Sequence, residues 1–496
     1  MDGKQISSGG MFASAGVGRS LRTYVPATFL YRGISFVRGL VLAWLLAGSA
    51  GQFALLAVAT QVINILAPLV SLGINEAITR YAPQYEQRGR LRGFLRRSVV
   101  LLALIAGPSV AVLVVLAGPL GAMLFGSPEF DAVAAASLGR ATAGAIGAIV
   151  VYFLVVSVLK GLRMFPALAA MEVVHGVLFL VLSLVAAWAV APTAASVVWA
   201  YLVAMVVPSV IWGAFLRRGL PDGSAEGEAA DAEGLGGKLL GFGTWAALSG
   251  IVWQAWQIYS LWYLAKLGFA AASDAFAGAR LIGQVVIILA AAMTGIVTTA
   301  AFAAWESRSR EEANALLGLY TKLALSGLLA LSLVLVLADD LIVLVLPSEF
   351  AAAAEVLAEV VVFFQLTSAL GFLAVHFALV EKTRLMLWSW LVGLGSNVAL
   401  VIWLVRPEHP LSGAVLSAAI SCLPAVAVCL VLVRAEGQPV SRGLVLLTAA
   451  SLLLLLPDGA MVAGAAGLAV LGTATTVVFS REERDVIANR MRQRVK

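Results

Sequence analysis

The run from Thr23 to Gly48, TYVPATFLYRGISFVRGLVLAWLLAG, decides the fold. A helix of about 20 apolar residues crosses the ~30 Å hydrocarbon layer of a bilayer, and this run is long enough to do so. Two cations, Arg32 and Arg38, interrupt it. A guanidinium at that depth is costly unless it faces other protein, water or an anion, so the segment is expected inside a bundle.

The remainder of the chain has the same character. Of its 496 residues 61% are hydrophobic and 12% charged, and the mean hydropathy is +0.98, which leaves too little polar surface for a soluble protein. The expected class is an all-α polytopic membrane protein. Residues 1–22 are polar and rich in Gly and Ser, with no short apolar core before a cleavage site, so no removable signal peptide is expected.

Apolar runs bounded by charged or turn residues give fourteen candidate spans: 24–47, 53–76, 98–118, 132–159, 165–190, 195–216, 240–265, 275–303, 323–346, 351–379, 384–405, 411–434, 442–456 and 459–480. When alternate loops are assigned to one side, the basic residues segregate. That side receives Lys4, Arg19, Arg22, Arg80 to Arg97, Lys160, Arg163, Arg217, Arg218, Lys238, Arg308, Arg310, Lys322, Lys382, Arg384, Arg434, Arg442 and the tail from Arg481 to Lys496. The opposite loops carry Lys266 and Arg406 beside the acids Glu129, Asp131, Asp339, Asp340 and Glu349. The positive-inside rule then predicts two cytoplasmic termini in a plasma or inner membrane. The same pattern explains the formal charge of +6 without a nucleic-acid partner. Cys422 and Cys429 lie near one face of one helix, where a disulfide is geometrically implausible, and are expected to pack.

The acidic, Gly-rich stretch RRGLPDGSAEGEAADAEGLGGK, Arg217 to Lys238, divides the chain. The expected organisation is a cytoplasmic N-terminus (1–23), an N-lobe of six spans (24–216), a linker (217–239), a C-lobe of six spans (240–434), two further helices (435–480) and a basic tail (481–496). A weak repeat supports the division. Tyr85-Glu86-Gln87-Arg88-Gly89-Arg90 matches Trp305-Glu306-Ser307-Arg308-Ser309-Arg310, and Glu129-Phe130 matches Glu349-Phe350, both at an offset of 220 residues. Halves of six spans each are parallel repeats, an architecture suited to two lobes around a central cavity.

Ser71-Leu72-Gly73-Ile74-Asn75-Glu76-Ala77-Ile78-Thr79-Arg80-Tyr81 resembles the end of the second span in polysaccharide flippases of the multidrug/oligosaccharidyl-lipid/polysaccharide exporter superfamily. Lys160-Gly161-Leu162-Arg163, Phe276-Ala277-Gly278-Ala279-Arg280, Pro347-Ser348-Glu349-Phe350 and Leu411-Ser412-Gly413-Ala414 match other pieces of that pattern in order. Arg32-Gly33-Ile34-Ser35-Phe36-Val37-Arg38 is also similar to the two-arginine stretch of lipid II flippases, but Ser35 and Gly39 replace that group's usual glycine and aspartate. The resemblance implies an arginine-lined cavity and translocation of an undecaprenyl-type, pyrophosphate-linked oligosaccharide to the outer leaflet. It further implies a polymerase and glycosyltransferases as partners, and a monomer is expected.

Such transport needs a cationic site for pyrophosphate and a polar wall for the glycan. Arginine suits the first, because its planar fork pairs with phosphate oxygens and stays charged when desolvated. Arg32 and Arg38, separated by about 9 Å of rise and about 120° of turn, can line one broad wall, with snorkelling of Arg32 as the bland alternative. Arg280 is the third candidate, against a structural ion pair with Asp274, while Arg140 is expected to pair with Glu129 or Asp131. On span seven, Trp253, Gln254, Trp256 and Gln257 are expected to meet the glycan, by ring stacking and amide hydrogen bonds, against simple packing. Glu172 and His175, three apart, are candidates for ion coupling. Glu355 and Glu359 form a second such pair near a span end, Glu76 and Arg80 a helix-end ion pair, and His376 is expected to pack.

Neither a catalytic residue nor a metal or cofactor site is expected. The rival readings are a lipid II flippase, a multidrug/cation antiporter, which calls for an acidic cavity, and a membrane polymerase or glycosyltransferase, which calls for larger outer loops than these.

Overall fold

The computed structural model describes residues 17–128, 130, 132–219, 234–307, 310–340, 345–380, 382, 384–438 and 440–495. Glu129, Asp131 and most of the 217–239 linker lie outside the described residues. Among those described the chain is helical, the one extended feature being an isolated bridge between Ser127 and Phe130.

Among the described residues twelve helical segments are long and apolar enough to cross a membrane, and two shorter apolar ones follow, Arg442–Leu455 and Asp458–Ala474. The protein is therefore a multi-pass membrane protein. At 17 residues the last apolar helix is about 26 Å long, just under the hydrocarbon thickness.

The chain divides into two compact units, Met1–Asp274 and Ala275–Lys496. In the first, α1 (Val17–Leu46) packs on α7 (Phe165–Ala189). The helix α6 (Ala132–Gly161) is packed by α2 (Gln52–Ser71), α3 (Ile74–Gln87), α4 (Leu91–Val115), α5 (Ala117–Phe125) and α8 (Ala194–Gly219). A Cβ on Gly139 would stand 2.3 Å from the Ala117 carbonyl oxygen, so α5 and α6 meet backbone to backbone. In the second unit α12 (Leu357–Leu379) packs on α11 (Arg310–Leu337) and α14 (Pro410–Ala435), α13 (Arg384–Leu404) on α14, the short α15 (Arg442–Ala449) on α11, and α16 (Asp458–Ala474) on the 450–455 turn that continues α15. The helix α17 (Arg481–Val495) ends the chain. The first Glu-Phe pair precedes, and the second lies at the start of, the most enclosed span of its unit, 132–161 and 348–379.

Two departures from the sequence reading bear on the site. The second span stops at Ser71, because Leu72 and Gly73 take left-handed backbone conformations (φ 46° and 68°), and α3 starts afresh at Ile74. The break is forced by packing, since a Cβ on Gly73 would fall 2.0 Å from the Gly243 carbonyl oxygen. Gly243 belongs to α9 (Leu235–Lys266), which was expected to open the C-lobe but packs on α2, α3 and α5 within the first unit. Three bonds to the end of α5 hold it there: Trp262 Nε1 donates to the Leu124 carbonyl (3.0 Å) and Lys266 Nζ to the Met123 and Gly126 carbonyls (2.7 Å each).

The start of α2 lacks a side-chain cap of its own, Gly51 being the N-cap residue. Asp274 supplies it from the far end of the first unit, accepting from Gly51 N at 2.6 Å and Ala54 N at 2.8 Å. Cys422 and Cys429 are buried and unbridged, as their spacing requires.

Candidate functional site

The first unit gathers a cation, an imidazole and three tyrosines at one place between α1, α6, α7 and α8. Gly176 on α7 makes the approach possible: a Cβ there would lie 3.0 Å from the Tyr31 ring and 3.6 Å from Ile34. With α1 so close, the Arg38 guanidinium carbon sits 4.0 Å from the Phe179 ring centroid. That is a close cation–π contact, worth about 0.5–2 kcal/mol according to desolvation. Phe179 follows His175 by one helical turn on the same face of α7.

His175 is 2% exposed and lies among Tyr152 (5.1 Å between ring centroids), Tyr201 (5.9 Å), Tyr31 (6.0 Å) and Phe179 (6.1 Å). Neither ring nitrogen of His175 has a hydrogen-bond partner among the described residues, and neither has Arg38 Nη1. An unpaired donor shut away from water is unfavourable, so a cluster of buried groups without partners marks a candidate place for a ligand. A guanidinium, an imidazole and phenolic hydroxyls together form a donor-rich surface suited to phosphate oxygens.

The structure thus brings together Arg38 and His175, which the sequence assigned to separate tasks. Glu172 is half-buried on α7 and engaged in an interaction of its own, and His175 forms no hydrogen bond to it. Arg32 lies outside the cluster with an exposed side chain, 5.8 Å from the Tyr31 ring. Arg140 is likewise exposed, and its expected partners Glu129 and Asp131 lie outside the described residues.

Arg280, in the second unit, is 6% exposed and sits among Phe364 (5.3 Å), Phe276 (5.8 Å) and Phe363 (6.0 Å). The Asp274 carboxylate, the ion-pair partner of the alternative reading, is committed to the start of α2. In this conformation Arg280 is enclosed by aromatic rings.

On α9, Gln254 Oε1 accepts from Gln61 Nε2 of α2, and Gln257 Nε2 is buried without a partner. Trp253 is half-buried and meets Trp256 edge to face at 6.0 Å. Trp256 itself is 0% exposed, so here it packs the helix and offers no face to a sugar ring. The tyrosines Tyr31, Tyr152 and Tyr201 were missed by the sequence reading. Only the His175–Phe179 spacing hinted at an aromatic surround, since α6 and α8 reach the site through tertiary packing.

A helical bundle of this span pattern, with a polar cluster inside one unit, is the architecture of a polytopic membrane protein. Solved structures of that class share the fold. A MOP superfamily transporter from Pyrococcus furiosus, described as having a binding pocket of reverse polarity, superposes with a TM-score of 0.65 at 16% identity, covering 88% of this chain and 98% of its own. The outward-facing form of a MATE multidrug resistance transporter gives 0.63 at 16% identity, over 88% and 98% of the two chains. Its inward-facing counterpart gives 0.60 at 16%, over 84% and 96%. No curated protein matches the sequence. Residues 18–302 match the family described as polysaccharide biosynthesis protein, and the chain belongs to that family.

Proposed function

We propose that the protein is a flippase that carries a polyprenyl-pyrophosphate-linked oligosaccharide from the cytoplasmic to the outer leaflet by alternating access, for cell-surface polysaccharide synthesis. The observation that carries this reading is Arg38, a half-buried arginine inside a membrane span whose Nη1 has no partner. Such a group invites an anion, where a carrier of cationic drugs would need acids instead.

In this reading Arg38, with Arg32 at the entrance, receives the pyrophosphate, and the tyrosine hydroxyls and His175 supply further donors. Arg280 is a further phosphate-binding cation, within the second unit. Gln254, Gln257 and Trp253 contact sugar hydroxyls and ring faces, with Trp256 backing them. The polyprenyl tail stays in lipid. Both termini face the cytoplasm, the membrane is the plasma (inner) membrane, and the protein works as a monomer beside glycosyltransferases and a polymerase. It makes and breaks no covalent bond. The membrane potential supplies about 2.3 kcal/mol per charge per 100 mV to drive an anionic head group outward.

Deleting the gene tests the reading. Lipid-linked oligosaccharide accumulating on the inner leaflet with loss of surface polysaccharide supports it. Unchanged surface polysaccharide, or loss of drug efflux alone, overturns it.

A further inference from the structure

A cavity of about 150 Å³ lies wholly within the second unit, lined by α11, α12, α14, Gln438, residues 440–444 and the first turn of α17. Its walls are apolar except for a few groups. Lys322 of α11 is 4% exposed, yet its amine reaches the cavity. His376 of α12 is 3% exposed and neither ring nitrogen has a hydrogen-bond partner among the described residues. Thr321, 2% exposed, has an equally unpartnered hydroxyl.

One acid enters. Glu483 of α17 accepts from Lys322 Nζ with both carboxylate oxygens, at 2.8 Å each, and its Oε2 also accepts from Ser480 N at 2.8 Å. The carboxylate arrives from outside the bundle, on a helix whose exposed face carries Arg481, Glu482 and Asp485. The neighbouring Arg484 ties that helix down by donating to the Thr473 carbonyl at 2.8 Å.

A buried ion pair alone does not explain this site. Lysine carries three donors and the carboxylate takes part of them, while the imidazole and the threonine hydroxyl lining the same cavity have no hydrogen-bond partner among the described residues. A tetrahedral oxyanion has more acceptor positions than a carboxylate and satisfies all three side chains at once. The loop charges assign this end of the chain, with Lys322, Lys382, Arg434 and the tail, to the cytoplasm, where phosphorylated solutes and anionic lipid head groups are both at hand.

We propose that this cavity is a second, regulatory binding site for a phosphate or phosphomonoester group, with Lys322, His376 and Thr321 as its donors and Glu483 as a built-in carboxylate that occupies it when the ligand is absent. Ligand and Glu483 compete for Lys322, so binding releases the first turn of α17.

The test uses the full-length chain in phosphatidylcholine nanodiscs, titrated with inorganic phosphate by calorimetry. Replacing the competing carboxylate in Glu483→Gln tightens phosphate binding by about tenfold or more. Adding Lys322→Gln to that variant abolishes the gain, and Thr321→Val, the milder change, reduces it. Repeating the titration in nanodiscs containing phosphatidic acid identifies the source. A phosphate response that the lipid suppresses assigns the cavity to a head group, and one that persists assigns it to a soluble anion. Phosphate affinity equal in wild type and Glu483→Gln, or a gain that survives loss of Lys322, overturns the proposal.

Discussion

Arg38 and Phe179 form the closest cation–ring contact of the polar cluster, 4.0 Å from guanidinium carbon to ring centroid, and the contact fixes where the guanidinium points. The negative face of the ring holds the cation without consuming any of its donors, so the planar edge stays available to an anion. Phe179→Leu keeps the site apolar but removes that hold. We expect the variant to fold normally and to show transport reduced by about fivefold to tenfold, the equivalent of about 1–1.5 kcal/mol. Initial rates measured beside a thermal-melting trace check this.

Asp274 acts on stability. It satisfies two backbone donors at the start of α2 that no other side chain caps. Losing an N-cap costs about 0.5–2 kcal/mol, with the upper end expected at this buried position. Asp274→Ala should lower the melting temperature in detergent, and Asp274→Asn, which keeps one acceptor oxygen, should recover part of the loss.

Gly73 and Gly89 have the same backbone angle, φ 68°, in different surroundings. A methyl group on Gly73 meets the Gly243 carbonyl, whereas on Gly89 it meets nothing within 4 Å. Gly89→Ala carries only the left-handed strain of about 1–2 kcal/mol. Gly73→Ala must also push α3 away from α9. Yield of monodisperse protein should fall sharply for Gly73→Ala and little for Gly89→Ala.

Gln257 separates packing from transport. Its buried Nε2 lacks a partner, a cost that a nonpolar residue of similar size would relieve. Gln257→Leu should melt at the same temperature as wild type or higher, while its transport of a lipid-linked glycan falls. A variant that gains stability and keeps full transport would remove Gln257 from the glycan wall.

The sequence made the class legible because a bilayer imposes a length and a composition that apolar runs display directly. Arg38 was equally visible, since a cation in the middle of such a run has few innocent explanations. What the sequence hid depends on neighbours distant along the chain. Tyr152 and Tyr201 are ordinary span residues until α6 and α8 bring them to His175. Leu72 and Gly73 gave no sign of a break, because the reason for it is the Gly243 backbone on α9. The same contact explains why α9 keeps company with α2 and α3, where the repeat suggested a second-lobe partner. Trp256 read as a stacking platform because mid-span aromatics look alike in sequence, and only its complete burial distinguishes it from Trp253.

The measurement that bears most directly on the central claim is translocation of a fluorescent polyprenyl-pyrophosphate oligosaccharide by the purified protein in liposomes, comparing wild type with Arg38→Lys and Arg38→Ala. The account predicts that Arg38→Ala, still monodisperse, loses about 100-fold in rate as the charge-assisted bonds to phosphate vanish, with Arg38→Lys in between. Wild-type translocation by Arg38→Ala would contradict it.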